Sequence, residues 1–237
     1  EPVAYIRGVK EFYGLALTAD TRALIPRPET ELLVDLAQAW VRARLSSAPR
    51  AADAAPLVVL DVGTGGGAIA VALAVTLRRR GYGQAVRLVA TDVSADALAL
   101  AVENAVSHGV ADAIQFHRAD LVDGVGVDGD GTVDLVVANL PYVPSGDLPG
   151  LPVAASFEPA VALDGGPDGS RFLALLIERL DRVLAVDGLA LLEIGDGQAD
   201  HVLTLANAVL PDWACAVHDD LGGTPRVVEL ARGARPR

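Results

Sequence analysis

Cysteine, methionine and aromatic residues are scarce in this sequence. Its 237 residues include one cysteine, Cys215, and no methionine, and aromatic residues make up 4%. A single cysteine excludes an internal disulfide framework and a zinc site built from cysteines. The four histidines lack the spacing of metal ligands, so no metal is predicted. They are His108, His117, His201 and His218.

Positive charge and long hydrophobic runs are also limited. Acidic residues outnumber basic ones by 31 to 19, which gives a net charge of -12. A broad electrostatic attraction to phosphate backbones is therefore not expected, and no direct nucleic-acid partner is predicted. The longest apolar run, residues 68–77, is about half the length of a membrane span and favours a core helix. Since no secretory signal is recognisable, the expected compartment is the cytoplasm, without a membrane partner.

Hydrophobic residues, in contrast, make up 51% of the chain and follow a regular alternation of strands and helices. This alternation predicts an α/β fold with a doubly wound, mostly parallel sheet covered on both faces. The predicted helices are residues 27–45, 68–80, 95–108, 170–185 and 198–210. The predicted strands are residues 57–62, 86–91, 114–117, 133–138, 189–194, 214–218 and 226–230, the last two forming a terminal pair.

Chemically capable residues follow three of the predicted strands. The first strand leads into a glycine-rich turn, Gly63-Thr64-Gly65-Gly66-Gly67, where the backbone can approach a ligand closely. Asp92 follows the second strand and can accept hydrogen bonds from ribose hydroxyls. Asp120 and Leu121 follow the third, where Asp120 could bind an adenine amine. A packing role for the glycines and a solvated Asp120 are the alternatives, but the three sites together suggest an adenosine-containing cofactor.

The spacing of Gly63, Gly65 and Gly67 does not match the pyrophosphate-binding fingerprint. It resembles instead the first motif of class I S-adenosylmethionine-dependent methyltransferases. That resemblance implies a Rossmann-like fold with a seven-stranded sheet and an antiparallel C-terminal hairpin. It also implies S-adenosyl-L-methionine as the cofactor.

The tetrad Asn139-Leu140-Pro141-Tyr142 follows the strand at residues 133–138. It resembles the Asn-Pro-Pro-Tyr motif of methyltransferases that act on a planar, conjugated nitrogen. The Asn139 side-chain oxygen and the Leu140 carbonyl would accept the two N–H groups of such a nitrogen, and Tyr142 would supply a face for it. A simple turn starting at Asn139 is the alternative. Leu140 departs from the motif, yet it keeps the backbone carbonyl that serves as acceptor.

Two longer stretches extend the resemblance over nearly the whole chain. The N-terminal segment, which contains "RPETE", and the segment that begins "FEPAVALDGGPDGSRF" are similar to the HemK/PrmC family of protein-(glutamine-N5) methyltransferases. The family implies methyl transfer to the glutamine side-chain amide in the Gly-Gly-Gln motif of peptide chain release factors. By this resemblance the cofactor site comprises Gly63, Thr64, Gly65, Gly66, Gly67, Asp92, Asp120, Leu121 and Asn139, and the glutamine and catalysis depend on Asn139, Leu140, Pro141 and Tyr142.

The resemblance also implies a division of the chain. Residues 1–45 are expected to be a connecting segment and helix that follow a missing helical N-terminal domain, which fits the absence of an initiator methionine. Residues 46–237 are expected to form the catalytic domain, acting as a monomer. Roles for Phe12, Arg27, Glu29 and Glu158 stay open. Two rival functions also stay open: an adenine-N6 methyltransferase acting on RNA or DNA, and a non-catalytic cofactor-binding protein.

Overall fold

A seven-stranded sheet organises the computed structural model, which describes residues 1–47, 55–124 and 131–233. The helices in chain order are α1 Val3–Arg7, α2 Glu31–Ser46, α3 Ala68–Arg79, α4 Ala95–Ser107, α5 Arg171–Val183 and α6 Ala199–Val209. The strands are β1 Val9–Phe12, β2 Leu15–Thr18, β3 Leu57–Val62, β4 Val86–Asp92, β5 Ile114–Arg118, β6 Val133–Ala138, β7 Leu184–Glu193, β8 Ala214–Asp219 and β9 Pro225–Ala231.

The strand order in the large sheet is β5-β4-β3-β6-β7-β9-β8. The pairs from β5 to β7 are parallel, whereas β9 pairs antiparallel with both β7 and β8. The chain leaves β3 towards β4 and β5 on one side and returns to β6 on the other. This reversal opens a crevice beyond the carboxyl ends of β3 and β6, where ligands bind in open α/β sheets. The predicted α/β fold with its C-terminal hairpin is confirmed.

Side chains that alternate along the strands build a hydrophobic core on each face of the sheet. In β3, Val59 joins the core on the side of α2 and α3, and Leu60 joins the core on the side of α5 and α6. In β6, Val137 joins the core on the side of α2 and α3, and Val136 joins the other core. Neighbouring residues of a strand point to opposite faces of the sheet. All four are fully buried, so both faces hold the central strands rigidly behind the crevice.

The N-terminal region contains structure that the sequence patterns did not predict. Helix α1 precedes a hairpin in which β1 pairs antiparallel with β2. Its two-residue turn, Tyr13-Gly14, has φ values of 53° and 71°. Such turns usually carry Asn or Asp before the glycine, and Tyr13 gave no such signal. The carboxamide of Asn104 in α4 accepts from the Thr18 N–H (2.7 Å) and donates to the Gly66 carbonyl (2.9 Å), which ties the hairpin to the glycine turn.

Two predicted boundaries were wrong. The helix predicted over residues 27–45 begins at Glu31, because residues 28–30 form a separate 3-10 turn. The strand predicted over residues 189–194 begins at Leu184. The last two residues of the helix predicted over residues 170–185 therefore belong to β7. The expected division of the chain after residue 45 stays a prediction, because residues 48–54 lie outside the described ranges. Within the described ranges, no helix is long and apolar enough to cross a bilayer.

Candidate active site

A cleft opens at the carboxyl ends of β3, β4 and β6. The glycine turn after β3 and residues 139–141 of the tetrad after β6 line this cleft. The loop at residues 19–30, which connects β2 to α2 and is called here the N-terminal loop, closes one side. Residues predicted for the cofactor site line this cleft together: Gly63, Thr64, Gly65, Gly66, Asp92, Asp120, Leu121 and Asn139.

The glycine turn has a backbone that only glycine adopts readily. Gly63, Gly65 and Gly67 have φ values of 70°, 55° and 83°. Gly67 does not line the cleft; its role is packing, since a Cβ there would lie 3.0–3.1 Å from the Cβ and Cα atoms of Ala101 in α4. This fits the packing alternative for Gly67. At Gly65 the nearest atom to a Cβ would be 3.9 Å away, so its surface is free to receive a ligand.

Asp61 anchors this turn, a role that the sequence patterns did not reveal. Its Oδ2 accepts hydrogen bonds from the Thr64 hydroxyl (2.7 Å) and the Ala70 N–H (3.1 Å), joining the turn to the first turn of α3. Its Oδ1 is buried without a hydrogen-bond partner among the described residues. Burial raises the pKa of Asp61 to about 7, because the charged form loses hydration. The sequence did not indicate this role, because Asp61 lies within the apolar pattern of β3, and carboxylates are rarely buried in a strand.

Asp92 lies at the end of β4, facing the glycine turn. One carboxylate oxygen accepts from the Gly65 N–H (2.8 Å) and the other from the Ser94 N–H (2.9 Å). Ser94 caps α4 by accepting from the Ala97 N–H, which assigns the cap to Ser94 and leaves Asp92 at the cleft. Burial raises the pKa of Asp92. Each carboxylate oxygen has a second lone pair, so the side chain can also accept from a ligand hydroxyl.

The third cofactor segment, Asp120-Leu121, lines the same cleft. Leu121 has a φ of 55°, which is uncommon for a residue with a side chain. The Thr91 hydroxyl donates to the Leu121 carbonyl at 2.9 Å, and the Ala119 N–H donates to the Asp92 carbonyl at 3.0 Å. These two bonds hold the segment against the end of β4.

The tetrad separates two pockets. Asn139, Leu140 and Pro141 line both the cofactor cleft and a second pocket, which Tyr142 also lines. The Asn139 Nδ2 donates to the Thr30 hydroxyl at 2.9 Å, and among the described residues no hydrogen bond occupies its amide oxygen. Within the part of the chain that is described, no hydrogen bond engages the Leu140 carbonyl. Two acceptors are thus present in the wall between the pockets.

Leu140 is also a packing residue, and its side chain is 4% exposed. A Cβ on Gly63 would lie 2.7 Å from Leu140 Cδ2, so the leucine fills the space that this glycine leaves open. The residue that departs from the Asn-Pro-Pro-Tyr pattern therefore packs directly on the glycine turn.

A second glycine-rich segment, residues 164–169, holds the end of the tetrad. A Cβ on Gly165 would lie 2.7 Å from the Pro141 carbonyl, and one on Gly169 would lie 2.3 Å from the Tyr142 carbonyl. The Tyr142 carbonyl also accepts from Gln198 Nε2 at 3.0 Å. Only glycine permits this close approach, which explains the "DGGPDG" stretch. Spacing alone could not have linked it to the tetrad.

The four residues whose roles stayed open lie in three different places. Arg27 pairs with the buried carboxylate of Glu158 at 2.6 Å, and Glu158 also accepts from the Ile25 N–H at 3.0 Å. Both charged residues line the second pocket. Phe12 instead lies in the hydrophobic core at 1% exposure. Burial raises the pKa of Tyr142 to about 12, and the charges of Glu193 and Glu29 add to the rise. Among the described residues no cluster of three potential metal ligands occurs.

Comparisons with known proteins show what this chain is similar to. A family model described as "Methyltransferase domain" matches residues 59–152. The release factor glutamine methyltransferase of Geobacter sulfurreducens is 38% identical over 231 residues, covering 96% of this chain and 72% of that protein. The protein of the same name from Bradyrhizobium diazoefficiens is 36% identical over 98% of this chain and 73% of its own length. This chain belongs to the release factor glutamine methyltransferase family.

Membership of that family makes the chain a methyltransferase, in agreement with the prediction from its motifs. Its fold is also similar to that of the ribosomal protein L11 methylase from Lactobacillus delbrueckii subsp. bulgaricus. The two share a TM-score of 0.57 and 23% sequence identity over 90% of this chain and 82% of that one. At this identity the likeness concerns the fold, and it confirms the class I methyltransferase architecture.

Proposed function

We propose that this protein methylates the side-chain amide nitrogen, N5, of the glutamine in the Gly-Gly-Gln motif of peptide chain release factors. The observation that carries the proposal is the pair of oxygen acceptors in the wall between the two pockets. The Asn139 amide oxygen and the Leu140 carbonyl can accept the two N–H groups of a primary amide. The relatives named release factor glutamine methyltransferase, which are 38% and 36% identical over nearly the full chain, support the same substrate.

The residues of the first pocket fit S-adenosyl-L-methionine as the cofactor. The open surface at Gly65 would receive the amino-acid end, where a side chain would fill the space. The Asp92 carboxylate would accept from the ribose hydroxyls, and the Asp120-Leu121 segment would lie along the adenine. When bound, this cofactor supplies an electrophilic methyl group on a sulfonium.

Catalysis would depend on positioning. The lone pair of an amide nitrogen is delocalised, so the nitrogen is a poor nucleophile. Accepting both N–H groups fixes the amide plane and favours the positive charge that grows on nitrogen during attack. Pro141 has a fixed φ and stiffens the wall, and Tyr142 offers its ring to the planar amide in the second pocket. The proton is lost from nitrogen after the methyl group has been transferred.

Asn139→Ala tests the proposal with a release factor as substrate. Turnover should fall by about 2.7–4 kcal/mol in activation free energy, the range for losing one preorganised polar group at a reacting centre, while cofactor affinity changes less. Asn207→Ala, on the exposed face of α6, is the matched control and should retain full turnover. Single-turnover methylation with labelled cofactor measures both variants.

The same assay tests the substrate. A release factor with glutamate in place of the motif glutamine should not be methylated, because a carboxylate presents oxygens to the two acceptors. Methylation of RNA, with none of the release factor, would contradict the proposal and favour the adenine-N6 alternative. The net charge of -12 weighs against a nucleic-acid substrate. We also propose a cytoplasmic location, where a release factor would meet the enzyme, and, separately, action as a monomer.

A further inference from the structure

Tyr142 ends the tetrad and lines the second pocket, where its ring would receive the planar amide of the substrate. Its backbone continues into Val143, whose N–H donates to the Leu163 carbonyl at 3.0 Å. The position of the ring therefore depends on what holds the Tyr142 carbonyl and on the surface that the ring packs against. One residue contacts both, Gln198, which lines neither pocket.

The side chain of Gln198 joins the tetrad to the turn after β7. Its Nε2 donates to the Tyr142 carbonyl at 3.0 Å, and its Oε1 accepts from the Gly195 N–H at 2.8 Å. The two partners fix the orientation of the carboxamide, because a peptide N–H can only donate and a peptide carbonyl can only accept. Among the described residues, no other hydrogen bond reaches the Tyr142 carbonyl. These two hydrogen bonds are called here the Gln198 bridge.

Two glycines leave the space that the Gln198 bridge occupies. A Cβ on Gly195 would lie 3.1 Å from Tyr142 Cδ2 and 2.9 Å from Gln198 Oε1. A Cβ on Gly169 would lie 2.7 Å from Gln198 Nε2. The edge of the Tyr142 ring thus packs on Gly195, the same residue whose N–H the glutamine engages. The bridge therefore connects the backbone of Tyr142 with the surface that supports its ring.

We propose that Gln198 is a positioning residue for methyl transfer, which fixes the Tyr142 ring in the second pocket through the Gln198 bridge. The inference rests on the proposed function for its substrate, whereas the bridge is a property of the protein alone. Gln198 also precedes α6, where its own N–H donates to the Gly195 carbonyl at 3.2 Å. A role confined to this turn is the alternative that the experiments must separate from positioning.

Three variants separate the contacts of the bridge. At about pH 8, Gln198→Glu keeps an oxygen that accepts from the Gly195 N–H, but its carboxylate has no N–H for the Tyr142 carbonyl. Gln198→Met has a similar length and makes neither hydrogen bond. Gly195→Ala retains the glutamine but would displace its Oε1, which would lie 2.9 Å from the new Cβ.

Two matched controls make the same chemical changes elsewhere. Gln115→Glu changes an exposed side chain of β5. Gly83→Ala adds a Cβ at an ordinary contact distance, 3.6 Å from the nearest atom of Arg78.

The first experiment needs no substrate. Tyr142-Val143 is the only Tyr-Val pair in the sequence, so labelling with carbonyl-¹³C tyrosine and ¹⁵N valine gives one coupled NMR signal, from the Tyr142 carbonyl. In Gln198→Glu and Gln198→Met this carbonyl signal should move upfield, because the carbonyl has lost its hydrogen bond. In Gln115→Glu it should stay in place. An unchanged signal in both Gln198 variants would overturn the inference.

The second experiment compares single-turnover methylation of a release factor at saturating S-adenosyl-L-methionine with cofactor affinity in calorimetry. Methylation should slow by about tenfold in Gln198→Glu, Gln198→Met and Gly195→Ala, as for one lost hydrogen bond. Cofactor affinity should not change, because Gln198 does not line the cofactor cleft. Gln115→Glu and Gly83→Ala should keep both properties.

Full activity of Gln198→Glu beside a slow Gln198→Met would mean that the residue serves only its own turn, and would overturn the positioning role. A parallel loss of cofactor affinity in the Gln198 variants would also overturn it, because the change would then reach the whole site. If the wild-type enzyme fails to methylate the release factor, the proposed function is wrong. The carbonyl signal still decides in that case whether Gln198 holds Tyr142.

Discussion

The buried carboxyl of Glu193 gives a prediction about stability and pH. Burial raises the pKa of this group from 4.5 to about 7, mainly because its charged form loses hydration, and nearby Glu29 adds to the rise. Arg226 and the Thr30 side chain lower it in part. The folded protein therefore holds this proton more tightly than the unfolded chain does, and Glu193→Gln should remove the effect.

The direction follows from proton linkage. Between about pH 4.5 and pH 7 the folded state binds more protons at Glu193 than the unfolded state does, so the free energy of unfolding falls as the pH rises. This contribution of Glu193 to the free energy of unfolding is fully present below the unfolded pKa of 4.5, and it is lost as the pH rises through the folded pKa of about 7. A pKa difference of about 2.5 corresponds to a free energy on the order of 3 kcal/mol. Since Glu193 is 1% exposed, solvent screening should reduce this value little.

Urea unfolding of the wild type and Glu193→Gln at several pH values measures the effect. The wild type should lose on the order of 3 kcal/mol relative to the variant between about pH 4.5 and pH 8. Asp61, whose pKa is also raised to about 7, is present in both proteins, so its contribution cancels in the difference. A difference that does not change with pH would show that Glu193 is not buried as described.

Three further predictions concern the cleft and the glycine turn beside it. Asp92→Ala should weaken cofactor binding in calorimetry by about 1–3 kcal/mol, and unchanged affinity would refute its assignment. Gly67→Ala should lower the free energy of unfolding more than Gly81→Ala does. Both glycines have φ near 80°, but only at Gly67 would the new Cβ lie within 3.1 Å of the Ala101 backbone. Equal losses in urea unfolding would contradict this prediction. Leu140→Pro should retain single-turnover activity while losing about 1–3 kcal/mol of stability, and an inactive but folded variant would contradict the role of the carbonyl.

The strands and the cofactor segments could be predicted because their signals are local. An apolar run that ends in glycines or a carboxylate marks the carboxyl end of a strand, and parallel strands bring such ends together. Asp92 and the glycine turn after β3 therefore line one cleft, although 27 positions separate Gly65 from Asp92. The turn of the first hairpin could not be predicted from a local signal, because Tyr13-Gly14 lacks the Asn or Asp that usually precedes the glycine in such turns.

Contacts between distant segments could not be predicted in the same way. Thr30 and Asn139 are 109 positions apart, and Arg27 and Glu158 are 131 apart. Each pair forms only because the N-terminal loop crosses the carboxyl edge of the sheet. "RPETE" can be recognised as a pattern, but the pattern does not state that its threonine contacts the tetrad. Such contacts depend on tertiary packing, which local periodicity does not encode.

Leu140 shows how a departure from a motif can be compatible with its chemistry. The acceptor at this position is a backbone carbonyl, which every residue possesses, so leucine can replace proline without loss of that oxygen. The leucine side chain then needs space, and it finds it against Gly63, where a Cβ would come within 2.7 Å of Cδ2. Gly63 thus serves both the cofactor turn and the tetrad. Since the two pockets meet at this contact, a larger residue at position 63 should disturb the substrate wall as well as the cofactor site.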